Sequence, residues 1–197
     1  MRASLIINTA VLAPHAQKTG NPFRTTTYAE RGEGLLRIID EGLPEACEKI
    51  VAGNYEPGDG YTYIEVPPLY GDRRDALVQR EMGARLSTGD LLVFTHDDHL
   101  PNFHASDIQA KDWDILVPKR VHDVTGEELP NGRDQDYMGG HSLIMTREAW
   151  VRVPWLSVIP ERCWDLPMTR LWREAGLKIE WTDDLISVDL EAKAGEG

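Results

Sequence analysis

GDRRDALVQREMGARLSTGDLLVFTHDDHLP, residues 71–101, is the stretch whose reading decides the fold. Residues 71–90 read as a helix, because Val78, Met82 and Leu86 recur every four positions with Leu77 beside them. LLVFT (91–95) follows as a continuous apolar run, the pattern of a central strand covered on both faces. A helix feeding directly into a buried strand is one half of a βαβ unit and implies a parallel sheet. The strand stops abruptly in His96, Asp97, Asp98 and His99. In open α/β sheets, ligands bind beyond the carboxyl ends of the strands, which is where these four residues fall.

The same alternation extends outward in both directions. SLIINT (4–9), CEKIVAG (47–53) and YTYIEVP (61–67) have strand length and composition. Between the first two lie a Pro-, Thr- and Gly-rich loop at 10–30 and a helix at 31–41. That helix carries Leu35, Leu36, Ile38 and Ile39 on its apolar side and is ended by Gly42 and Pro44. Downstream, DILVPK (114–119) reads as a strand, residues 121–137 as a polar acidic loop, and GGHSLIM (139–145) as a strand leading into a short helix at 146–150. Residues 164–176 read as a helix with Asp165 as N-cap, Pro167 in the first turn and Gly176 at the end. LKIEW and LISVDL read as two closing strands. The expected fold class is α/β, a Rossmann-like mostly parallel sheet flanked by helices, in a single domain spanning residues 1–197.

Lys and Arg total 21 against 33 Asp and Glu, a formal net charge of −12 over 197 residues. Such a chain has no global attraction to a phosphate backbone. Its acidity suits a site where a divalent cation brings in an anionic substrate. No run of 18 apolar residues exists, so no membrane span is expected. The opening MRASLIINTA lacks the long apolar stretch of a secretory signal, and the expected location is cytoplasmic. Cys47 and Cys163, far apart in sequence, read as reduced thiols. There is no Walker-type loop, dinucleotide fingerprint or nucleophile elbow.

The chemistry concentrates at Asp97 and Asp98. Two adjacent carboxylates at a strand end repel each other unless a cation compensates them. Hard oxygen ligands favour Mg²⁺ or Mn²⁺, ions that commonly bridge to a substrate diphosphate. The competing readings are a solvated acidic turn, and a zinc site using His96 and His99, which requires three or four convergent ligands.

The order of these pieces resembles glycosyltransferase family 2 and its GT-A relatives. In that family a helix ending in small residues plus Gly-Asp precedes a strand that ends in an Asp-any-Asp motif. His96 stands where the first Asp of the motif would be, Asp97 matches the middle position, and Asp98 matches the metal-binding last position. GGHSLIMTREAW (139–150) resembles the family's acceptor-side strand and helix start. RCWDLPMTRLWREAG (162–176) resembles its acidic motif opening a helix. The resemblance implies a nucleotide-sugar-binding half at 1–100 and an acceptor half at 101–190. It places Asp165 as catalytic base, with a plain helix cap as the competing reading. It offers Asp189 as a further metal ligand, against an exposed strand residue. Thr9 and Asn54, at the ends of the first two strands, fall where nucleotide contacts lie, and His96 and Asp97 would join them.

Arg73 and Arg74 at the start of the long helix, and Lys119 and Arg120 after a later strand, are candidate phosphate ligands through paired Arg hydrogen bonds. Arg73, Arg74, Arg80 and Arg85 would together form a local basic patch. His141 reads as a satisfied structural histidine. Of the tryptophans, most are expected in the core, and Trp164 is the first candidate to face a sugar.

The function implied is a metal-dependent, inverting glycosyltransferase moving a sugar from a UDP- or GDP-linked donor to a hydroxyl acceptor. That acceptor is a glycan, a small molecule, a protein, or a hydroxymethylated base in phage DNA. The alternatives are a nucleotidyltransferase on a related sheet and a nucleotide-sugar-binding module without turnover.

Overall fold

The computed structural model describes residues 1–9, 28–53, 59–67, 69–70, 74–108, 112–133, 137–138, 141–158 and 164–190. Among the described residues nine strands form one sheet: β1 (Ala3–Thr9), β2 (Glu48–Gly53), β3 (Thr62–Glu65), β4 (Leu91–His96), β5 (His99–Asn102), β6 (Ile115–His122), β7 (Glu128–Leu129), β8 (Leu143–Thr146) and β9 (Ile179–Asp189). The helices are α1 (Tyr28–Glu41), α2 (Arg74–Leu86), α3 (Arg147–Arg152) and α4 (Asp165–Glu174). The strand order is β3-β2-β1-β4-β8-β6-β9-β5, with β7 hydrogen-bonded to β6.

The β3-β2-β1-β4 half is wholly parallel. Beyond it, β8 runs antiparallel to both β4 and β6, and β6 is parallel to β9. Only Asp97 and Asp98 separate β4 from β5, yet β8, β6 and β9 lie between them in the sheet. The sheet must therefore curl until its last strand returns beside the end of β4.

Side-chain alternation divides the core into two layers. Leu5, Ile7, Leu91 and Val93 face α1, whose Leu35, Ile38 and Ile39 complete that cluster. Ile6, Leu92 and Phe94 face the opposite side, toward Leu77 and Ala84 of α2 and Met168 and Trp172 of α4. All of these are buried. Each such Leu, Ile or Phe contributes about 2 kcal/mol of transfer free energy.

Several elements differ from the sequence reading. Met82 and Leu86, taken as the apolar stripe of α2, are 39% and 53% exposed. The helix instead buries Leu77, Gln79, Arg80, Glu81, Gly83 and Ala84. A Cβ on Gly83 would lie 2.4 Å from Ile6 Cγ2, so this glycine sets how closely α2 lies on β1. The polar residues on the buried face are paired. Glu81 accepts from Trp150 Nε1 (3.0 Å) and from the Trp155 amide (3.2 Å), and Gln79 Nε2 donates to the Thr9 carbonyl (3.0 Å). Leu36 also leaves its expected face and is exposed.

Residues 121–137 are not simply a loop, since β6 runs to His122 and β7 pairs back onto it. The two closing strands are one strand, β9. Between Thr182 and Ile186 its register against β6 jumps, leaving Asp183–Leu185 opposite no β6 residue.

Candidate functional site

The carboxyl ends of β1, β2 and β4 form a rim. Thr9, the last residue of β1, is buried and faces Gly53 on β2. A Cβ on Gly53 would fall 1.7 Å from Thr9 Oγ1, so the threonine side chain fills the space the glycine leaves. Thr9 is thus at the rim, as expected. Asn54, the other proposed nucleotide contact, lies outside the described residues, as do Arg73 and Cys163. Arg74 opens α2, with its guanidinium carbon 4.4 Å above the Tyr70 ring.

Next to Thr9, Asn8 pairs in register with His96, the last residue of β4. Arg80 of α2 reaches in from the other side of the sheet. Its Nε donates to Asn8 Oδ1 (3.0 Å), and its Nη2 donates to His96 Nε2 (3.1 Å) and to the His141 carbonyl (3.2 Å). A guanidinium only donates, so His96 accepts from Arg80 at Nε2, and its Nδ1 lies 2.6 Å from Asn8 Nδ2. The Arg80 guanidinium carbon lies 4.8 Å from the Trp155 ring and 5.0 Å from the Trp164 ring. Burial pushes its pKa down to about 10, and the Asp165 carboxylate partly offsets that loss. Arg80 therefore remains a cation at neutral pH.

This corrects the expected basic patch. Arg80 is fully buried, and Arg85 is tied to Glu81 (2.9 Å). Trp164 is buried against Trp155 and Arg80, so it belongs to the core that supports the site. Asp165 is not the N-cap. Trp164 holds that position without a side-chain cap, and Asp165 is the first residue of α4. Its carboxylate acts on the buried Arg80 through Coulombic attraction.

The second half of the rim is the two-residue turn after β4. Asp97 is 1% exposed, and its carbonyl lies so close to α1 that a Cβ on Gly34 would sit 3.1 Å from it. Neither Asp97 nor Asp98 is a solvated turn residue. Asp98 Oδ1 lies 2.5 Å from His99 Nδ1, and the Asp98 carbonyl accepts from the Leu190 amide (2.8 Å). His99 is in register with Asp189 across the β5–β9 pair, and its Nε2 lies 3.9 Å from Asp189 Oδ2. Arg120 of β6 pairs with the same Asp189 oxygen through Nη2. Asp189, 8% exposed in its side chain, is therefore a buried partner of His99 and Arg120 and not an exposed strand residue.

Asp98 and Asp189 thus stand on either side of one imidazole. A pair of carboxylates is a donor set that Mg²⁺ or Mn²⁺ takes together with substrate phosphates and water. Among the described residues no three or more His, Cys, Asp and Glu converge as a complete cage, so the zinc reading, which needs one, lacks its ligands there.

His141 departs from the reading of it as satisfied. It is fully buried, and its ring hydrogen-bonds the Pro118 carbonyl. Its Nε2 has no hydrogen-bond partner among the described residues. Burial holds its pKa well below the ordinary histidine value, and His99, Arg120 and Arg80 lower it further. The His99 and His141 ring centres are 6.2 Å apart, and those of His96 and His99 5.9 Å. Sequence reasoning missed Asn8, and it gave Arg80, His99 and His141 other roles: a surface basic patch, a zinc ligand and a satisfied structural histidine. The one available signal was Asn8, a polar residue inside an apolar strand.

No family model matches the chain, and no curated protein matches it significantly. Among solved structures, the inositol-1-phosphate CTP transferase from T. maritima is similar in fold. The TM-score is 0.56 at 13% identity, over 100% of this chain and 92% of that one. The likeness is one of fold. It agrees with a Rossmann-like α/β sheet, and the narrower GT-A glycosyltransferase assignment does not follow from it. No described helix is long and apolar enough to cross a membrane.

Proposed function

We propose that this chain is a transferase acting on a nucleotide-activated substrate, and that it moves a sugar from a nucleotide-sugar donor to a hydroxyl acceptor. The observation that carries this reading is the Coulombic interaction of Asp165 with the buried Arg80, whose guanidinium also binds His96 on the rim that bears Asp98. A hydroxyl nucleophile must lose a proton as it attacks, and an ionised carboxylate accepts it. A phosphate monoester nucleophile arrives already anionic. It needs cations more than a base, whereas this rim carries Asp97, Asp98 and Asp189.

The acceptor oxygen attacks the anomeric carbon, its proton passes to Asp165, and the bond from that carbon to the diphosphate breaks. Attack from the face opposite the diphosphate inverts the anomeric configuration. Arg120, half-exposed beside Asp189, donates to the phosphate oxygens. Asp98 and Asp189 would hold Mg²⁺ or Mn²⁺, which supplies Lewis acidity toward the departing diphosphate. Thr9 at the end of β1 contacts the nucleotide.

The likeness to a CTP transferase favours a second reading, nucleotidyl transfer from a nucleoside triphosphate. The two readings leave different products. A thermal-shift screen of nucleotide sugars and nucleoside triphosphates with Mn²⁺ selects the substrate class. Product analysis then separates them: nucleoside diphosphate release supports sugar transfer, and inorganic pyrophosphate release overturns it. Binding without either product over a broad acceptor panel would make the chain a binding module.

A further inference from the structure

The connection from β3 to α2 leaves the carboxyl end of β3, so it starts at the same end of the sheet as Thr9, Gly53 and His96. Val66 continues that end, its amide donating to the Gly53 carbonyl (2.7 Å). The connection then turns two large apolar side chains to solvent: Leu69 is 64% exposed and Tyr70 39%. Their backbone is held in place. Asp75 Oδ1, in the first turn of α2, accepts from the Leu69 amide and from the Tyr70 amide, each at 2.9 Å. The ring is held as well. The Arg74 guanidinium carbon lies 4.4 Å from the Tyr70 ring centre and covers one face of it. An exposed aromatic ring fixed from behind has already lost the freedom that a ligand would otherwise have to take from it.

We propose that Tyr70 is the platform on which the base of the bound nucleotide stacks, with Arg74 supporting the ring from its other face. A nucleobase is planar and presents a π-face of its own, and aromatic side chains stack on any of the bases. The placement fits that role. In the order β3-β2-β1-β4, β3 lies three strand spacings from β4, about 14 Å, which an extended nucleoside diphosphate spans from base to terminal phosphate. A base at Tyr70 therefore lets the phosphates run past Thr9 toward the turn that carries Asp98. Arg74 also sets a positive charge beside an anionic ligand, in a chain whose net charge is −12. Stacking tolerates every base, so Tyr70 supplies affinity and leaves the choice of base to other groups. The inference rests on the reading of this rim as a nucleotide site and names the side chain that anchors the base.

The test is isothermal titration calorimetry on the full chain with Mn²⁺ present. The ligands are the di- and triphosphates of uridine, guanosine, cytidine and adenosine, and inorganic pyrophosphate, which has the phosphates without a base. Tyr70→Ala should bind the preferred nucleotide about ten-fold or more weakly than wild type. Its affinity for pyrophosphate should stay within about two-fold. Tyr70→Phe keeps the ring face and should stay within about two-fold of wild type for both ligands. The side chain is half-exposed, so both variants should keep their fold, and melting transitions check that they do. A Tyr70→Ala variant that binds the nucleotide as tightly as wild type overturns the platform. So does an equal loss on nucleotide and pyrophosphate, because the ring would then act on the phosphate side. A loss in Tyr70→Phe as large as in Tyr70→Ala overturns it too, since the ring face is kept. If wild-type protein binds none of the nucleotides, the nucleotide reading of the rim fails and takes the platform with it. If nucleotides bind and Tyr70 makes no difference, only this inference fails.

Discussion

Arg80 Nη2 donates to His96 Nε2 across 3.1 Å, so a cation carried on one face of the sheet is fixed to the last residue of its central strand. The same guanidinium holds Asn8, the His141 carbonyl and the faces of Trp155 and Trp164. It therefore ties β1, β4, α2 and the segment that begins α4 into one unit. Removing it takes a buried cation away from Asp165 and a donor away from Asn8 and His96. Breaking a buried charged pair by deleting one partner costs about 3 kcal/mol. Arg80→Met should lower the free energy of unfolding by that amount in equilibrium urea denaturation. A loss below about 1 kcal/mol, within the range of surface substitutions, would mean the guanidinium is not the tie described.

The His141 environment sets a second expectation, in acid stability. Its folded pKa lies well below 6.5 and its unfolded pKa near 6.5. Between those values the unfolded chain binds a proton that the folded chain does not. Stability therefore falls as pH drops below about 6.5, with a slope from this one group approaching 1.4 kcal/mol per pH unit. His141→Gln cannot take up that proton and should show a flatter dependence between pH 6.5 and 4.5. Parallel curves for the two proteins would show that His141 is not held neutral by the fold.

The sheet was largely legible in the sequence, and the site only in part. Apolar runs such as LLVFT and SLIINT announce fully covered strands, and their order against the helices implies the parallel half of the sheet. The α2 stripe failed because its buried face is made of Gln79, Arg80, Glu81, Gly83 and Ala84, which periodicity counts as polar or small. Burial there depends on partners from β1, His96, Trp150 and Trp155, all distant in sequence. Asp98 and Asp189 were singled out separately, and the curl of the sheet brings them to either side of His99. That curl follows from β5, a strand of four residues that no run of sequence announced.

Gly53 supplies a test of rim geometry. An alanine Cβ would meet Thr9 Oγ1 at 1.7 Å, and Thr9 Cβ and the Thr9 carbonyl oxygen at 2.9 Å. The neighbouring strand cannot yield without shifting the β1–β2 register pair Thr9↔Gly53. Overpacking of this kind costs about 2 kcal/mol. Gly53→Ala should lose that stability, and adding Thr9→Ala should restore part of it by removing the closest contact. If the double variant is no more stable than Gly53→Ala alone, the Thr9 hydroxyl is not what fills the space.

Asp165 separates binding from turnover. It opens α4, and under the proposed reading it takes no part in holding the diphosphate. Asp165→Asn keeps the shape and removes the proton acceptor. Loss of a positioned general base costs about 10² to 10⁴ in rate. Under the sugar-transfer reading, the variant should bind the nucleotide donor within about two-fold of wild type while kcat falls by that factor. An Asp165 that only balances Arg80 would behave differently: stability would drop, and the kcat of the folded fraction would stay near the wild-type value. Measuring kcat on protein shown to be folded by its melting transition decides between them, because the charge-balancing role acts through Arg80 and the base acts on the acceptor.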